Sequence, residues 1–281
     1  MSTIYPALNA NTAGSSLPVM EYVELAARHN FTSVELNGDR IEPLVNMDIQ
    51  EGRDFLGRLG ISIASFDLPV EWRKDESTFQ DGMHDLPLIA SAARILGATR
   101  CCTWVVPNYP TLPADSRRWI GARFRAIREV LASDSIRFGL EFIGPLHYLS
   151  EPGRTFIRGM QDMLAFAEDL GSNAGLLVDS FHWHCLGNTE EDLAAVPAER
   201  IIYVHINDAP NVPVEEQQDE KRLLPGEGII NLSAFVRGLA KAGYEGPVGI
   251  EVPTSTLKNA TPDEAAALAR QSWNSMIEAV A

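Results

Sequence analysis

Short apolar runs rich in β-branched residues recur along the chain, and longer stretches with helical spacing separate them. Eight runs read as strands: Ile4–Asn9, Ser33–Leu36, Ser62–Asp67, 98–105, Arg137–Phe142, Ala174–Asp179, Ile201–Ile206 and 248–252. Several are apolar along their whole length, the pattern of parallel strands covered on both faces. Between them, 18–30 places Val19, Val23, Leu25 and Ala26 toward one face. The segment 114–132 carries Trp119, Phe124, Ile127 and Val130, and 156–170 carries Met160, Met163, Leu164 and Phe166. Leu232–Ala242 and Pro262–Val280 are the last two helices, opened by the turn signals Asn231 and Thr261-Pro262. The interval 42–60 is helical but patchy, and the helix after Asn188 is short.

Strand and helix alternate to the end with no Gly/Ser linker and no low-complexity tract, so residues 1–281 read as one domain, a single (βα)8 TIM barrel. Such a barrel needs about 250 residues, nearly the whole chain. The rival is an open doubly wound sheet. Its phosphate loop is missing, because the first connection, Asn11-Thr-Ala-Gly-Ser-Ser-Leu-Pro, has no G-x-G-x-x-G.

Charge narrows the function classes. Against 23 Lys and Arg stand 38 Asp and Glu, a formal charge of −15 spread along the chain. Such a surface repels nucleic-acid phosphates and anionic lipid. Cys101, Cys102 and Cys185 form no C-x-x-C pair and read as reduced thiols. The N-terminus shows no signal-peptide pattern and no apolar run approaches a membrane span, so a cytoplasmic protein is expected.

In a TIM barrel the C-terminal strand ends form one rim, where polar residues converge from distant parts of the chain. Those ends carry Glu35, Asp67, Glu141, Asp179, His205 and Glu251. The last four lie in apolar flanks, as in Leu140-Glu141-Phe142 and Val204-His205-Ile206. Any one alone reads as well as a buried carboxylate paired with arginine, or as a histidine capped by a carbonyl. Four on adjacent strands point to one shared divalent cation, since each buried carboxylate needs a partner. Three carboxylates and an imidazole suit Mn²⁺ first, and also Mg²⁺, Co²⁺ or Zn²⁺.

The second half of the chain resembles a known family in Gly139-Leu-Glu-Phe-Ile-Gly-Pro145, Leu177-Val-Asp-Ser-Phe-His-Trp-His184, Tyr203-Val-His-Ile-Asn-Asp208, Arg222-Leu-Leu-Pro-Gly-Glu-Gly228 and Gly246-Pro-Val-Gly-Ile-Glu251. These blocks resemble the xylose isomerase-like sugar phosphate isomerase/epimerase superfamily. It also holds ketose 3-epimerases, inosose isomerases and dehydratases, 3-dehydroshikimate dehydratases and, more distantly, endonuclease IV. The resemblance implies that Glu141, Asp179, His205 and Glu251 hold the metal and that Glu141 and Glu251 are the acid/base pair. It also implies that His182 contacts substrate, or orients a ligand from behind, and that Arg222 holds a substrate oxygen. For Arg222 the alternative is a solvated charge in an acidic loop. Where the epimerases carry a further carboxylate after the fifth strand, this chain has His147. Trp183 would shape the pocket beside the metal, and Trp72, Tyr109 and Phe181 are further candidate walls. An endonuclease role is opposed by Asp67 and Trp104 at the third and fourth strand ends, where that branch has metal-binding histidines, and by the net charge.

The resemblance implies an isomerase or epimerase that takes a proton beside a sugar carbonyl to form a metal-stabilised enediolate. The alternative is a lyase or dehydratase acting on a keto-sugar, keto-inositol or 3-keto-glycoside. His147, His182 and His184 would serve the lyase as acids for a departing oxygen. A non-catalytic sugar-binding barrel is the minor alternative. The expected partner is a small sugar or keto-polyol. A phosphorylated one is not expected, because Arg154 reads as paired with Glu151. Barrels of this kind often dimerise, so a homo-oligomer is compatible with the sequence.

Overall fold

In the computed structural model, which describes residues 4–37, 41, 43–44, 48–108, 115–148, 156–157, 159–257 and 260–280, eight parallel strands close into a barrel in chain order. They are β1 (Ile4–Asn9), β2 (Ser33–Leu36), β3 (Ser62–Asp67), β4 (Arg100–Val105), β5 (Arg137–Phe142), β6 (Ala174–Asp179), β7 (Ile201–Ile206) and β8 (Gly246–Ile250). Closure sets Pro6 beside Val248 and Leu8 beside Ile250, so no strand edge is left unpaired. This is the TIM barrel that the alternation predicts.

Around it run α1 (Ala10–Ala13), α2 (Val19–Arg28), α3 (Ile49–Leu59), α4 (Glu76–Ile95), α5 (Ser116–Ser133), α6 (Met160–Leu170), α7 (Ser180–Cys185), α8 (Glu190–Ala194), α9 (Leu232–Ala242) and α10 (Pro262–Val280). The ends follow local chemistry. The Asn231 side chain accepts from the Ala234 N–H to start α9, and Gly243, at φ +80°, ends it in the left-handed region that a side chain disfavours. Among the described residues no helix is long and apolar enough to cross a membrane.

Two strand boundaries and one helix differ from the pattern reading. The strand expected at 98–105 begins at Arg100. The one expected at 248–252 spans Gly246–Ile250, because past Ile250 the backbone leaves the β1 ladder. There the Val252 N–H donates to the Thr12 hydroxyl, which in turn donates to the Ile250 carbonyl. The 20-residue α4 has no clear helical stripe in the sequence. Pro87 lies inside it, and Leu88 and Ile95 face water while Phe79, Leu86 and Ala90 are buried. Tyr109 and Arg154 lie outside the described residues.

The core has two parts. The larger fills the space between sheet and helices, with Phe66, Phe124, Phe138 and Phe166 at its centre. The smaller plugs the barrel with Ala7, Ala64, Cys102, Leu177 and Tyr203. Alternate residues of a strand share a face, so the residues two further on than Ala7, Leu177 and Tyr203 form the next layer up. They are Asn9, Asp179 and His205, and there the interior turns polar.

Candidate functional site

Glu141 and Glu251 reach the same layer, each two residues after a glycine. Close approach explains both glycines: a Cβ on Gly139 would meet the Cys102 sulfur at 2.6 Å, and one on Gly249 would meet the Tyr203 hydroxyl at 2.6 Å. Glu141, Asp179, His205 and Glu251 each turn one donor atom inward, and the four atoms lie within 4.8 Å of one another. From His205 Nδ1 the distances are 3.1 Å to Glu251 Oε2, 3.6 Å to Glu141 Oε1 and 3.9 Å to Asp179 Oδ2. Both His205 Nδ1 and Glu141 Oε1 are buried without a hydrogen bond.

Each member is held from behind. Asp179 caps α7, its Oδ1 accepting from the N–H groups of Phe181 at 2.7 Å and His182 at 3.1 Å. Its Oδ2 accepts from Asn207 Nδ2 at 2.7 Å and faces the cluster. His205 Nε2 lies 2.9 and 3.0 Å from the Glu35 carboxylate oxygens, and Glu35 also accepts from Asn9 Nδ2 at 2.8 Å. In the neutral ring with its proton on Nε2, the form a bound cation would favour, Nδ1 presents its lone pair to the cluster. Arg222 Nη1 donates to Glu251 Oε2 at 2.6 Å and to Asp179 Oδ2 at 3.4 Å, while its Nε donates to the Asp219 carbonyl.

The charges shift one another. Burial alone would lower the His205 pKa, but Glu35 and Glu251 outweigh it and raise it well above the usual imidazole value. Burial raises the Glu141 carboxyl, with His205 and His182 offsetting part of the rise. Glu251 goes the other way. Burial would raise it, but Arg222 and His205 hold it well below the usual carboxylate range. Arg222 is raised despite its burial, chiefly by Glu251 and Asp219, and remains a cation.

These residues border a cavity of about 270 Å³ that opens at the C-terminal strand ends. His182 lines it, with Nε2 at 3.8 Å from Glu141 Oε1 and 3.7 Å from Asp219 Oδ1. Arg222 lines it too, buried among carboxylates, so it is no solvated loop charge. Trp104, Val106, Ile143 and Leu177 give the apolar part of the wall. Burial pushes the Cys102 thiol, on the floor, up to about 12, so it stays protonated and inert at neutral pH.

Two expected substrate contacts are placed elsewhere. His147 is exposed on the single turn Leu146–Tyr148, its ring 4.3 Å from that of Tyr148, and it is Tyr148 that borders the cavity. Trp183 turns outward from α7 to pack on Phe235 at 5.4 Å and donates from Nε1 to the Thr189 carbonyl. Helical geometry accounts for this: capping by Asp179 turns His182 to the cavity and the next residue to the core. Trp72 and Phe181 are fully buried packing residues. His184, half-buried on α7, is also absent from the described lining.

Pattern reading left several site residues without a role. The strand-end pattern marks Glu35 as polar but carries no sign of its bond to His205. Asn9 and Asn207 also lie at strand ends, and each bonds a cluster carboxylate or its support. Asp219 has no such signal, because it reaches the cavity from the loop before Arg222.

The sequence profile of the xylose isomerase-like TIM barrel family matches residues 23–276. A solved xylose isomerase domain protein from Alicyclobacillus acidocaldarius is 31% identical, covers 99% of both chains and superposes with a TM-score of 0.90. An inosose isomerase of Halalkalibacterium halodurans is 32% identical over 126 residues, which are 45% of this chain and 43% of that protein. A 3-dehydroshikimate dehydratase of Pseudomonas aeruginosa is 35% identical over 83 residues, 29% of this chain and 13% of that protein.

Proposed function

The chain belongs to the xylose isomerase-like TIM barrel family, and on that premise we propose that it is a divalent-metal-dependent isomerase or epimerase of a ketose or keto-polyol. The observation that carries this reading is the convergence of four donor atoms within 4.8 Å at the mouth of the barrel. Two of the facing atoms, Glu141 Oε1 and His205 Nδ1, are buried without hydrogen bonds, and a cation would satisfy both. Three carboxylates and an imidazole are a donor set for Mn²⁺, with Mg²⁺, Co²⁺ or Zn²⁺ also accommodated. The likeness to an inosose isomerase supports the substrate class.

A divalent ion held there would polarise a substrate carbonyl and make the adjacent C–H bond acidic. Glu141 and Glu251 approach that carbon from β5 and from the end of β8. One removes the proton and the other returns it. Return to the opposite face of the same carbon gives an epimer, and return to the neighbouring carbon converts ketose to aldose. Arg222 holds Glu251 in place and offers its remaining N–H groups to a substrate oxygen. His182 Nε2, set between Glu141 and Asp219, donates to a second oxygen. Ile143, Val106 and Leu177 keep bulk water from the reacting carbon.

The dehydratase likeness favours a second reading, elimination of a β-hydroxyl after the same proton removal. The structure weakens it. Of the three histidines that would serve a departing oxygen, only His182 is among the described cavity residues.

The test is proton exchange from D₂O into a ketose or 2-keto-inositol. Glu141→Gln and Glu251→Gln should each lose exchange while keeping a cooperative thermal transition. Exchange at the wild-type rate in either variant removes that residue from the acid/base role.

A further inference from the structure

Asp219 opens the single turn Asp219–Lys221 in the connection between β7 and α9, and its side chain, 21% exposed, borders the cavity beside His182. Its Oδ1 is buried and accepts no hydrogen bond. Two possible donors stand near, and neither supplies one. Arg222 Nε is 3.4 Å away, but its single hydrogen goes to the Asp219 carbonyl at 3.0 Å. His182 Nε2 is 3.7 Å away, beyond hydrogen-bond range, and 3.8 Å from Glu141 Oε1, which is likewise buried and unpaired. Both sides of this gap are held in place. Asp208 and Leu223 exchange backbone bonds at 2.8 Å, and the Asp208 carboxylate accepts from the N–H groups of Gly226 and Ile230, which pins the loop that carries Asp219. His182 is held by the Asp179 cap of α7.

Two carboxylate oxygens face His182 Nε2, and they favour the tautomer with its proton there. The gap then presents one donor and one acceptor, 3.7 Å apart. A hydroxyl oxygen placed off the line between them lies about 2.8 Å from each, accepting from His182 and donating to Asp219. A carbonyl or ether oxygen in the same place accepts from His182 but leaves Oδ1 unpaired. A methylene leaves both groups unpaired, at the cost of two buried polar atoms.

Resting on the isomerase reading above, we propose that Asp219 is a specificity residue and that, with His182, it forms a subsite for one substrate hydroxyl. That hydroxyl lies close to the reacting carbon, because Nε2 is 3.8 Å from Glu141 Oε1. The class selected is a polyhydroxylated ketone, a keto-sugar or keto-cyclitol, with a free hydroxyl beside the reacting centre. Its deoxy and O-alkylated counterparts are rejected.

The experiment measures binding and turnover separately. Wild type, Asp219→Ala and Asp219→Asn, each loaded with Mn²⁺, are titrated calorimetrically with 2-keto-inositol, D-fructose and the monodeoxy forms of each, and deuterium uptake from D₂O is followed with the two parent ketones. The wild type should bind a parent ketone about tenfold or more tightly than one of its monodeoxy forms. Asp219→Ala should weaken the parent by a similar factor, in KM more than kcat, and leave that monodeoxy form at its wild-type affinity, so that the preference disappears. Asp219→Asn keeps an acceptor oxygen and should restore part of the preference. Affinity for Mn²⁺ alone should be little changed in either variant, because Arg222 is fixed by the Asp219 backbone carbonyl and by Glu251. If Asp219 only steadies Arg222, its variants bind Mn²⁺ more weakly and lose parent and deoxy ligands equally, and that pattern overturns the proposal. A preference that survives in Asp219→Ala, a wild type indifferent to every deoxy form, or no binding of either parent ketone also overturns it. A preference that depends on Asp219 without any deuterium uptake would sink the isomerase reading and leave the hydroxyl subsite standing.

Discussion

At the scale of single residues, the site depends on how His205 is oriented. Its Nε2 faces a buried carboxylate, Glu35, so its Nδ1 is left to the cluster. Glu35→Gln should therefore lower divalent-metal affinity by about tenfold or more, read by competition with a chromogenic chelator, with little change in the far-ultraviolet spectrum. An unchanged affinity would mean that Glu35 is structural only. Glu141, Asp179, His205 and Glu251 were legible because each interrupts an apolar strand end, and no packing argument places a charge there. Glu35 was visible by the same sign, but its duty was not, because a partner 170 positions away is a tertiary fact. His147 and Trp183 are absent from the described cavity lining for a related reason. Register after a strand places a residue near the rim, and only the turn or helix that follows decides which way it faces.

At the scale of elements, the eight strands were legible because both faces of a barrel strand are covered, which leaves nearly continuous apolar runs, and the glycines beside Cys102 and Tyr203 are imposed by the crowded barrel interior. Gly249→Ala tests that crowding. Its new methyl would lie 2.6 Å from the Tyr203 hydroxyl and 2.8 Å from Glu35 Oε2, both in a packed interior. The variant should lose about 1–3 kcal/mol in denaturant unfolding and bind metal more weakly. Helix α4 was not legible, because Pro87 and the exposed Leu88 break its stripe; its start is set instead by Asp75, whose carboxylate accepts from the Thr78 N–H at 3.1 Å. The backbone and hydroxyl bonds of Thr78 hold that carboxyl below its usual 3.8. A depressed folded value means the cap contributes fully above the unfolded pKa and loses that contribution as pH falls through the folded one. The melting-temperature gap between wild type and Asp75→Ala should thus be constant near neutral pH and narrow once the pH drops below 3.8. A gap that widens in acid would contradict the cap assignment.

At the scale of the whole molecule, closure of the barrel brings together residues spread from position 35 to position 251, and their collective character is acidic. An excess of 38 acidic over 23 basic side chains says nothing of where the charge gathers; the fold concentrates part of it in one cavity, where a cation is the natural complement. The most direct test removes that cation. Protein stripped by chelation and dialysis is incubated in D₂O with 2-keto-inositol or a neutral ketose, then titrated with Mn²⁺. Exchange should be absent in the stripped protein and return in proportion to metal bound, saturating at one ion per chain. Exchange that continues undiminished without metal, or metal that binds equally well when Asp179 and His205 are both replaced by alanine, would contradict the account.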